Sequence, residues 1–173
     1  MTQLVSLDSV DSSAVEALLD RAFGTDRHLR TAYRVRQGTL PIRPLSFAAC
    51  DADGSLLGTI QSWPVSLASD IGPLVPLVMV GPVAVEPARQ QAGIGRMLMQ
   101  HMLDAAEASA VPGAEALMLI GDPEYYGRFF GFDATRTGRW RLPGPFEPRR
   151  LLARGSAVPN CAGTVVPRLR EAA

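Results

Sequence analysis

Gln90-Gln91-Ala92-Gly93-Ile94-Gly95 stands directly after the apolar run Leu74 to Val85 and directly before a helical pattern. The first turn of a helix carries several backbone N–H groups with no intrahelical partner, gathered at the positive end of the helix dipole. A phosphate or pyrophosphate satisfies them. Glycines at 93 and 95 remove the Cβ atoms that would hold such a ligand off, and they reach backbone angles that other residues resist. Beyond them Ile94, Met97, Leu98, Met102, Ala105 and Ala106 recur at a period of roughly 3.6, which predicts one helix face turned to a core. A strand, a glycine turn and a helix are therefore contiguous. Two readings of the turn stand at this point: a backbone anion cradle, and a plain turn that uses glycine for geometry alone.

Glycine-rich turns have several owners. A Walker A loop needs Gly-Lys-Ser/Thr, and this chain has no lysine, all 17 of its basic residues being arginine, so that loop is excluded. A dinucleotide fingerprint needs a third glycine three places after the second, where this chain has Leu98, and no acidic ribose clamp follows at the usual distance. What remains is Gln-x-x-Gly-x-Gly after a strand that reads Gly81-Pro82-Val83-Ala84-Val85-Glu86-Pro87.

That combination resembles the acetyl-CoA motif of the GNAT superfamily of N-acyltransferases. Downstream, Ala116 to Ile120 is similar to that family's next strand. The run Asp122-Pro123-Glu124-Tyr125-Tyr126-Gly127-Arg128-Phe129-Phe130-Gly131-Phe132 is similar to its tyrosine-bearing helix ending in Gly-Phe. The likeness covers about positions 74 to 132, and the Gly-Asp-Pro-x-Tyr-Tyr wording resembles a bacterial YhbS-like subgroup. The resemblance implies a single α/β domain over 1–173 with the GNAT fold: a central mixed, mostly antiparallel sheet, its fourth and fifth strands splayed, flanked by helices. It implies acetyl-CoA as co-substrate, with its pyrophosphate on Gln90, Gln91, Ala92, Gly93, Ile94, Gly95 and Arg96. In such folds the pantetheine arm lies between the splayed strands, so Val83, Ala84 and Val85 would meet its amides through their backbone. The irregularity that opens the strands is expected at Gly81-Pro82, which also accommodates prolines that an ordinary strand paired on both sides would not. An ordinary edge strand is the alternative.

At 173 residues the chain is the size of one domain and buries about two-thirds of its unfolded surface. Its formal net charge is zero and its pI is near 6.7, which gives no electrostatic reason to expect nucleic acid or an anionic membrane as partner. The total hides an asymmetry: residues 1 to 133 hold 9 Arg against 15 Asp and Glu, and 134 to 173 hold 8 Arg against 2 Glu, giving −6 and +6. Either the basic tail packs against the acidic body, or an acidic cleft attracts a cationic amine. The N-terminus shows no basic region followed by an apolar core, and the run Leu74 to Val85 is broken by Pro76, Gly81 and Pro82 and falls short of the ~20 residues a span needs. A cytoplasmic, soluble protein is expected. Cys50 and Cys161 lack metal-ligand spacing, as do His28 and His101, so no metal is expected. A homodimer is a family-level expectation only.

Leu4 to Leu7 reads as a first strand, and Asp8 or Asp11 caps a helix bearing Val15, Leu18, Leu19 and Phe23 on one face. The pattern predicts a second helix over Asp26 to Gln37, a region that in GNAT folds contributes to the acceptor site. Ser46 to Asp51 and Leu56 to Ser62 form a hairpin around Asp51-Ala52-Asp53-Gly54, with Trp63 to Pro73 leading into the central strand. Later strands are expected at Thr137 to Leu142, Leu151 to Arg154 and Thr164 to Val166.

Acyl transfer to an amine needs a neutral nucleophile, a polarised thioester carbonyl and a proton for the departing thiolate. Deprotonating a lysine-like amine at pH 7 costs roughly 4–5 kcal/mol, so a base or a water chain is required. Leu74 to Val85 carries no carboxylate, although some GNAT relatives place a glutamate there, and Glu86 is expected to face solvent. Asp122 before Pro123 is either a helix cap or a catalytic acid. Tyr126 is the expected proton donor to the CoA thiolate, with Tyr125 second and a cleft-wall role the alternative. The family places tyrosine four residues before the glycine of Gly-Phe, where this chain has Gly127, and a one-residue insertion at the doubled Phe129-Phe130 would account for the shift. Gln90 stands where many relatives have arginine, so it donates hydrogen bonds without charge. Arg96 either contacts phosphate or is a solvated helix residue. Tyr33, Trp63 and Trp140 either line an acceptor pocket or pack in the core. The implied activity is transfer of an acetyl group from acetyl-CoA to a primary amine, on a small molecule or a protein, in a ternary complex. The alternative is a non-catalytic acyl-CoA-binding regulatory module.

Overall fold

The computed structural model describes residues 1–169. In chain order the regular elements are β1 (Gln3–Ser6), α1 (Ser12–Phe23), α2 (Thr31–Val35), β2 (Phe47–Cys50), β3 (Leu56–Ser69), β4 (Leu74–Val85), α3 (Ile94–Glu107), β5 (Leu117–Ile120), α4 (Pro123–Phe130), β6 (Trp140–Arg141), β7 (Leu151–Arg154) and β8 (Gly163–Pro167). The eight strands form one mixed sheet in the order β1-β2-β3-β4-β5-β7, with β8 on β3 and β6 on β8. The β1–β2, β2–β3, β3–β8 and β5–β7 pairs are antiparallel. The β4–β5 pair is parallel and is confined to Val78↔Leu117 and Met79↔Met118. Strand β4 runs on to Val85, beyond the end of this ladder at Met79. At the expected irregularity Gly81 takes φ 116° and precedes a cis Pro82.

Contacts divide the chain into two compact units. The first comprises Met1–His28, Pro41–Ser62 and Gly81–Ser109; the second comprises Leu29–Leu40, Trp63–Val80 and the chain from Ala110. In the first unit Asp11 caps α1 by accepting from the Ser13 N–H at 3.2 Å. Val15, Leu18 and Leu19 then bury one helix face with Ala84 of β4, each such side chain contributing about 1.5–3 kcal/mol. Helix α3 buries Ile94, Leu98, Met99, Met102, Leu103 and Ala106, while Met97, expected on that face, is 40% exposed. Gly58 on β3 makes room for the buried face. A Cβ there would stand 2.9 Å from the Ala84 carbonyl oxygen, 3.0 Å from Ile94 Cγ2 and 3.2 Å from Leu98 Cδ1, so glycine lets the Ile94–Leu98 edge of α3 seat on the strand. Phe47 of β2 meets His101 of α3 edge-on at 4.4 Å.

In the second unit the core gathers Trp63, Val65, Leu67, Leu77, Met118 and Trp140 among others. Strand β3 continues past Ser62 to Ser69, where a connecting segment was expected, because Val65 and Leu67 enter this core and residues 65–69 pair with β8. The helix expected over Asp26 to Gln37 is instead a 3-10 turn at Arg27–Leu29 and the short α2. Buried Arg27 pairs with Glu16 and Asp20, holding the turn against α1, and Arg30 adopts an extended conformation before α2. Strand β6 is shorter than expected because Thr137 turns the chain, donating its hydroxyl to the Leu151 carbonyl at 2.7 Å while its own carbonyl accepts from Trp140 N–H.

The basic C-terminal segment is engaged within this unit. Arg141 pairs with Asp70 and Arg149 with Glu124. Arg136, Arg139 and Arg154 donate to main-chain carbonyls, and Arg168 reaches three of them, on Val65, Leu77 and Pro112. Among the described residues no helix is long and apolar enough to cross a membrane, and no group of three or more His, Cys, Asp or Glu converges on a metal-sized site.

Candidate active site

The turn before α3 is built from a clamped base and an open rim. Where β4 ends, the Glu86 N–H donates to the Leu57 carbonyl at 2.8 Å. The Glu86 carboxylate accepts from Arg21 Nη2 at 2.7 Å and from Arg21 Nε at 3.2 Å. Glu86 was expected to face solvent; the Arg21 fork on α1 instead leaves its side chain 25% exposed. Pro87 opens a 3-10 turn over Pro87–Ala92 that contains Gln90 and Gln91. Gly93 follows in the left-handed conformation at φ 77°, ψ 12° and is the N-cap of α3, a conformation that costs other residues about 1–2 kcal/mol.

Among the described residues no side chain caps α3, and its first turn holds no acidic residue. The positive end of the helix is thus left without a counter-charge of its own. A Cβ at Gly93 would meet nothing within 4 Å, and one at Gly95 would meet only Val85 Cγ2 at 3.6 Å and Val83 Cγ1 at 3.9 Å, which is ordinary contact. Gly95 has no positive φ. Neither packing nor backbone angle therefore demands glycine at 95, although a helical glycine costs about 1 kcal/mol relative to alanine. Val83, Val85 and Gly95 come together, Ala84 turns into the α1 core, Ile94 is buried, and Gln90, Ala92, Gly93 and Arg96 lie at the surface.

The tyrosine helix has a different beginning. Asp122 accepts from the Glu124 N–H at 3.0 Å and Pro123 occupies the first turn, so Asp122 is the cap of α4. Tyr125 and Tyr126 stand edge-on to each other at 4.9 Å, and both rings contact Phe130. Loss of solvent pushes the Tyr126 hydroxyl up to about 12; Tyr125 adds to the rise, Arg150 opposes it, and Asp122 adds slightly. Tyr126 is accordingly neutral across the physiological range. The helix ends in an over-wide turn. Gly131 N–H points to both Gly127 and Tyr126 carbonyls, the second spanning one residue more than an α-turn, and Phe132 N–H donates to the Tyr126 carbonyl at 3.2 Å, spanning two more.

Trp63 and Trp140 are buried in the second unit's core. Tyr33 and Trp63 enclose the Arg36 guanidinium, whose carbon lies 4.0 and 3.8 Å from the two ring centroids. Sequence reasoning missed Gly58 and Arg21 altogether. Each acts on a partner far away in the chain, and a lone glycine in a strand or a lone arginine on a helix carries no signal of that partner.

A model of the acetyltransferase (GNAT) family matches residues 13–132, which include both helix starts. No curated protein sequence matches. Among solved structures, a GNAT family N-acetyltransferase (YhbS) from Escherichia coli in complex with CoA is 24% identical, with 97% of this chain and 89% of that chain covered and a TM-score of 0.71. A GNAT family acetyltransferase from Brucella melitensis in complex with acetyl-CoA is also 24% identical, covering 97% and 96%, with a TM-score of 0.62. At that identity the likeness carries the fold.

Proposed function

Since the chain belongs to the acetyltransferase (GNAT) family, we propose that it works as one acetyltransferase domain moving an acetyl group from acetyl-CoA to a primary amine in a ternary complex. The observation that carries this reading is the bare start of α3, a helix N-terminus with glycine at its cap and a second glycine that the fold itself does not require. Such an end suits a pyrophosphate. The backbone of Gln91 to Gly95 would hold it, with Gln90 and Arg96 at the rim, and the main chain of Val83, Ala84 and Val85 would bind the pantetheine amides. That the two solved relatives hold CoA and acetyl-CoA supports the choice of ligand.

Acetyl-CoA supplies an activated acyl carbonyl and a thiolate leaving group; the protein supplies the proton. A thiolate has a pKa near that of cysteine, about 8.5, against about 12 at Tyr126 Oη. Full proton transfer from Tyr126 would therefore be uphill by roughly 5 kcal/mol. Tyr126 Oη acts first as a hydrogen-bond donor to charge developing on sulfur; as the product departs its proton passes to sulfur, and the proton that the amine nitrogen sheds on becoming an amide returns to Oη through water. Tyr125 is the reserve candidate.

A non-catalytic acyl-CoA-binding module is the second reading, favoured by one observation. β4 carries no carboxylate, and the carboxylate after it, Glu86, is engaged by Arg21. Thermal melts with acetyl-CoA, CoA and ATP, followed by thiol release across a panel of primary amines, separate the readings. Stabilisation by acetyl-CoA with thiol release on some amine supports the enzyme. Stabilisation without release on any amine favours the binding module, and stabilisation by ATP alone defeats both.

A further inference from the structure

Gly121, between β5 and α4, is buried and lies outside the glycines of positive φ. No left-handed backbone therefore reserves the position for glycine. Its N–H donates to the Arg150 carbonyl at 2.9 Å, a bond every residue except proline also makes. Glycine is required there for one reason. A Cβ at 121 would stand 2.5 Å from Tyr126 Cε2 and 2.9 Å from Tyr126 Cδ2, with Leu119 Cδ1 next at 3.1 Å. The missing side chain of Gly121 is where the edge of the Tyr126 ring lies.

The rest of the ring's surroundings are firm. Tyr125 stands edge-on to it at 4.9 Å, and Phe132 and Phe130 lie at 6.4 and 6.3 Å between centroids. The Tyr126 N–H is bonded to the Asp122 carbonyl at 2.9 Å, and its carbonyl accepts from Phe132, so the main chain cannot slide to give the ring another seat. We propose that Gly121 is a positioning residue for Tyr126, the socket that fixes where its hydroxyl points. This rests on the reading of Tyr126 as the proton donor. A methyl group at 121 displaces a ring edge, the movable end of a side chain, and leaves the backbone free to fold as before.

The test is a double-mutant cycle of Gly121→Ala and Tyr126→Phe, with turnover read as thiol release on the best amine of a primary-amine panel. Tyr126→Phe lowering kcat at least tenfold supports the donor reading; if it keeps full turnover, that reading fails. Given a slow Tyr126→Phe, Gly121→Ala is expected to lower kcat at least tenfold while the KM for acetyl-CoA stays within about twofold, and to add less than twofold on top of Tyr126→Phe. Gly121→Ala slowing both backgrounds equally, or leaving kcat within twofold, overturns the positioning role. The wild-type protein offers a measurement that does not depend on the variant folding. In ¹³C-tyrosine NMR spectra assigned by Tyr→Phe variants, the Tyr126 ring is expected to give separate signals for its two edges. A single averaged, fast-flipping ring contradicts a socket.

Discussion

Helices α3 and α4 both follow a strand of the same sheet and both begin at a short turn, yet their first turns are finished in opposite ways. At α4 the Asp122 carboxylate accepts an N–H of the first turn and Pro123 removes another. At α3 the cap is Gly93, no side chain among the described residues closes the end, no acid sits in the first turn, and Gly95 adds a residue of poor helix propensity. A sequence able to write a full cap at one helix leaves it out at the other. Replacing a capping side chain by glycine costs only a few tenths of a kcal/mol, so the bare end of α3 is tolerated cheaply, and the anion of the proposed function would complete it. Under the proposed function the CoA pyrophosphate lies at the unfinished helix, and the finished one carries the tyrosine assigned as proton donor.

The strongest way to break this contrast is to finish α3. Gly95→Asp places a carboxylate in the first turn, which satisfies the helix end and repels phosphate. Stability without ligand is expected to hold or to rise by about 0.3–1 kcal/mol, while affinity for acetyl-CoA by titration calorimetry falls about 100-fold, roughly 2.7 kcal/mol. Binding within threefold of wild type would place the anion elsewhere.

Next in size is a pH effect at the capped helix. In the folded protein Tyr126 titrates near 12, above its free value of 10.0, so the folded state holds that proton more tightly than the unfolded chain. Its contribution is complete below pH 10 and is lost as pH climbs towards 12, by about 2 kcal/mol at pH 11.5. Urea melts of wild type and Tyr126→Phe at pH 9 and pH 11.5 are expected to show the wild type losing more stability than the variant. Parallel losses would mean that the ring is not withdrawn from solvent.

Asp122→Ala comes third. As a cap it should cost about 1 kcal/mol of stability and leave acetyl-CoA affinity within about threefold. If kcat instead drops by orders of magnitude at unchanged stability, Asp122 is catalytic and the two helix starts are alike after all.

How much of this was legible in the sequence depended on distance along the chain. The cap at Asp122, the turn before α3 and the β2–β3 hairpin are written in neighbouring residues, and local chemistry decides them. The helix expected over Asp26 to Gln37 is broken because Arg27 finds Glu16 and Asp20 on α1, partners that no periodicity within residues 26–37 announces. Met97 satisfied the helical period and is exposed even so, since the helix seats its Ile94–Leu98 edge on Gly58, some forty positions earlier. The site divides in the same way. Gly93 and Gly95 announce themselves by spacing, whereas Gly121 shows its use only once the Tyr126 ring is seen against it.

The smallest change sharpens the comparison most. Gly95→Ala adds one methyl group, which meets Val85 and Val83 at ordinary contact distance in the protein alone. It raises helix propensity by up to about 1 kcal/mol, so thermal melts without ligand should show a gain. The same methyl lies in the path of an anion approaching the backbone, so acetyl-CoA affinity should fall, by about tenfold or 1.4 kcal/mol. Opposite signs from one atom are the signature of a glycine kept for a ligand. If stability and affinity both rise, Gly95 is a propensity defect with no ligand behind it, and the bare start of α3 loses its claim to be a site.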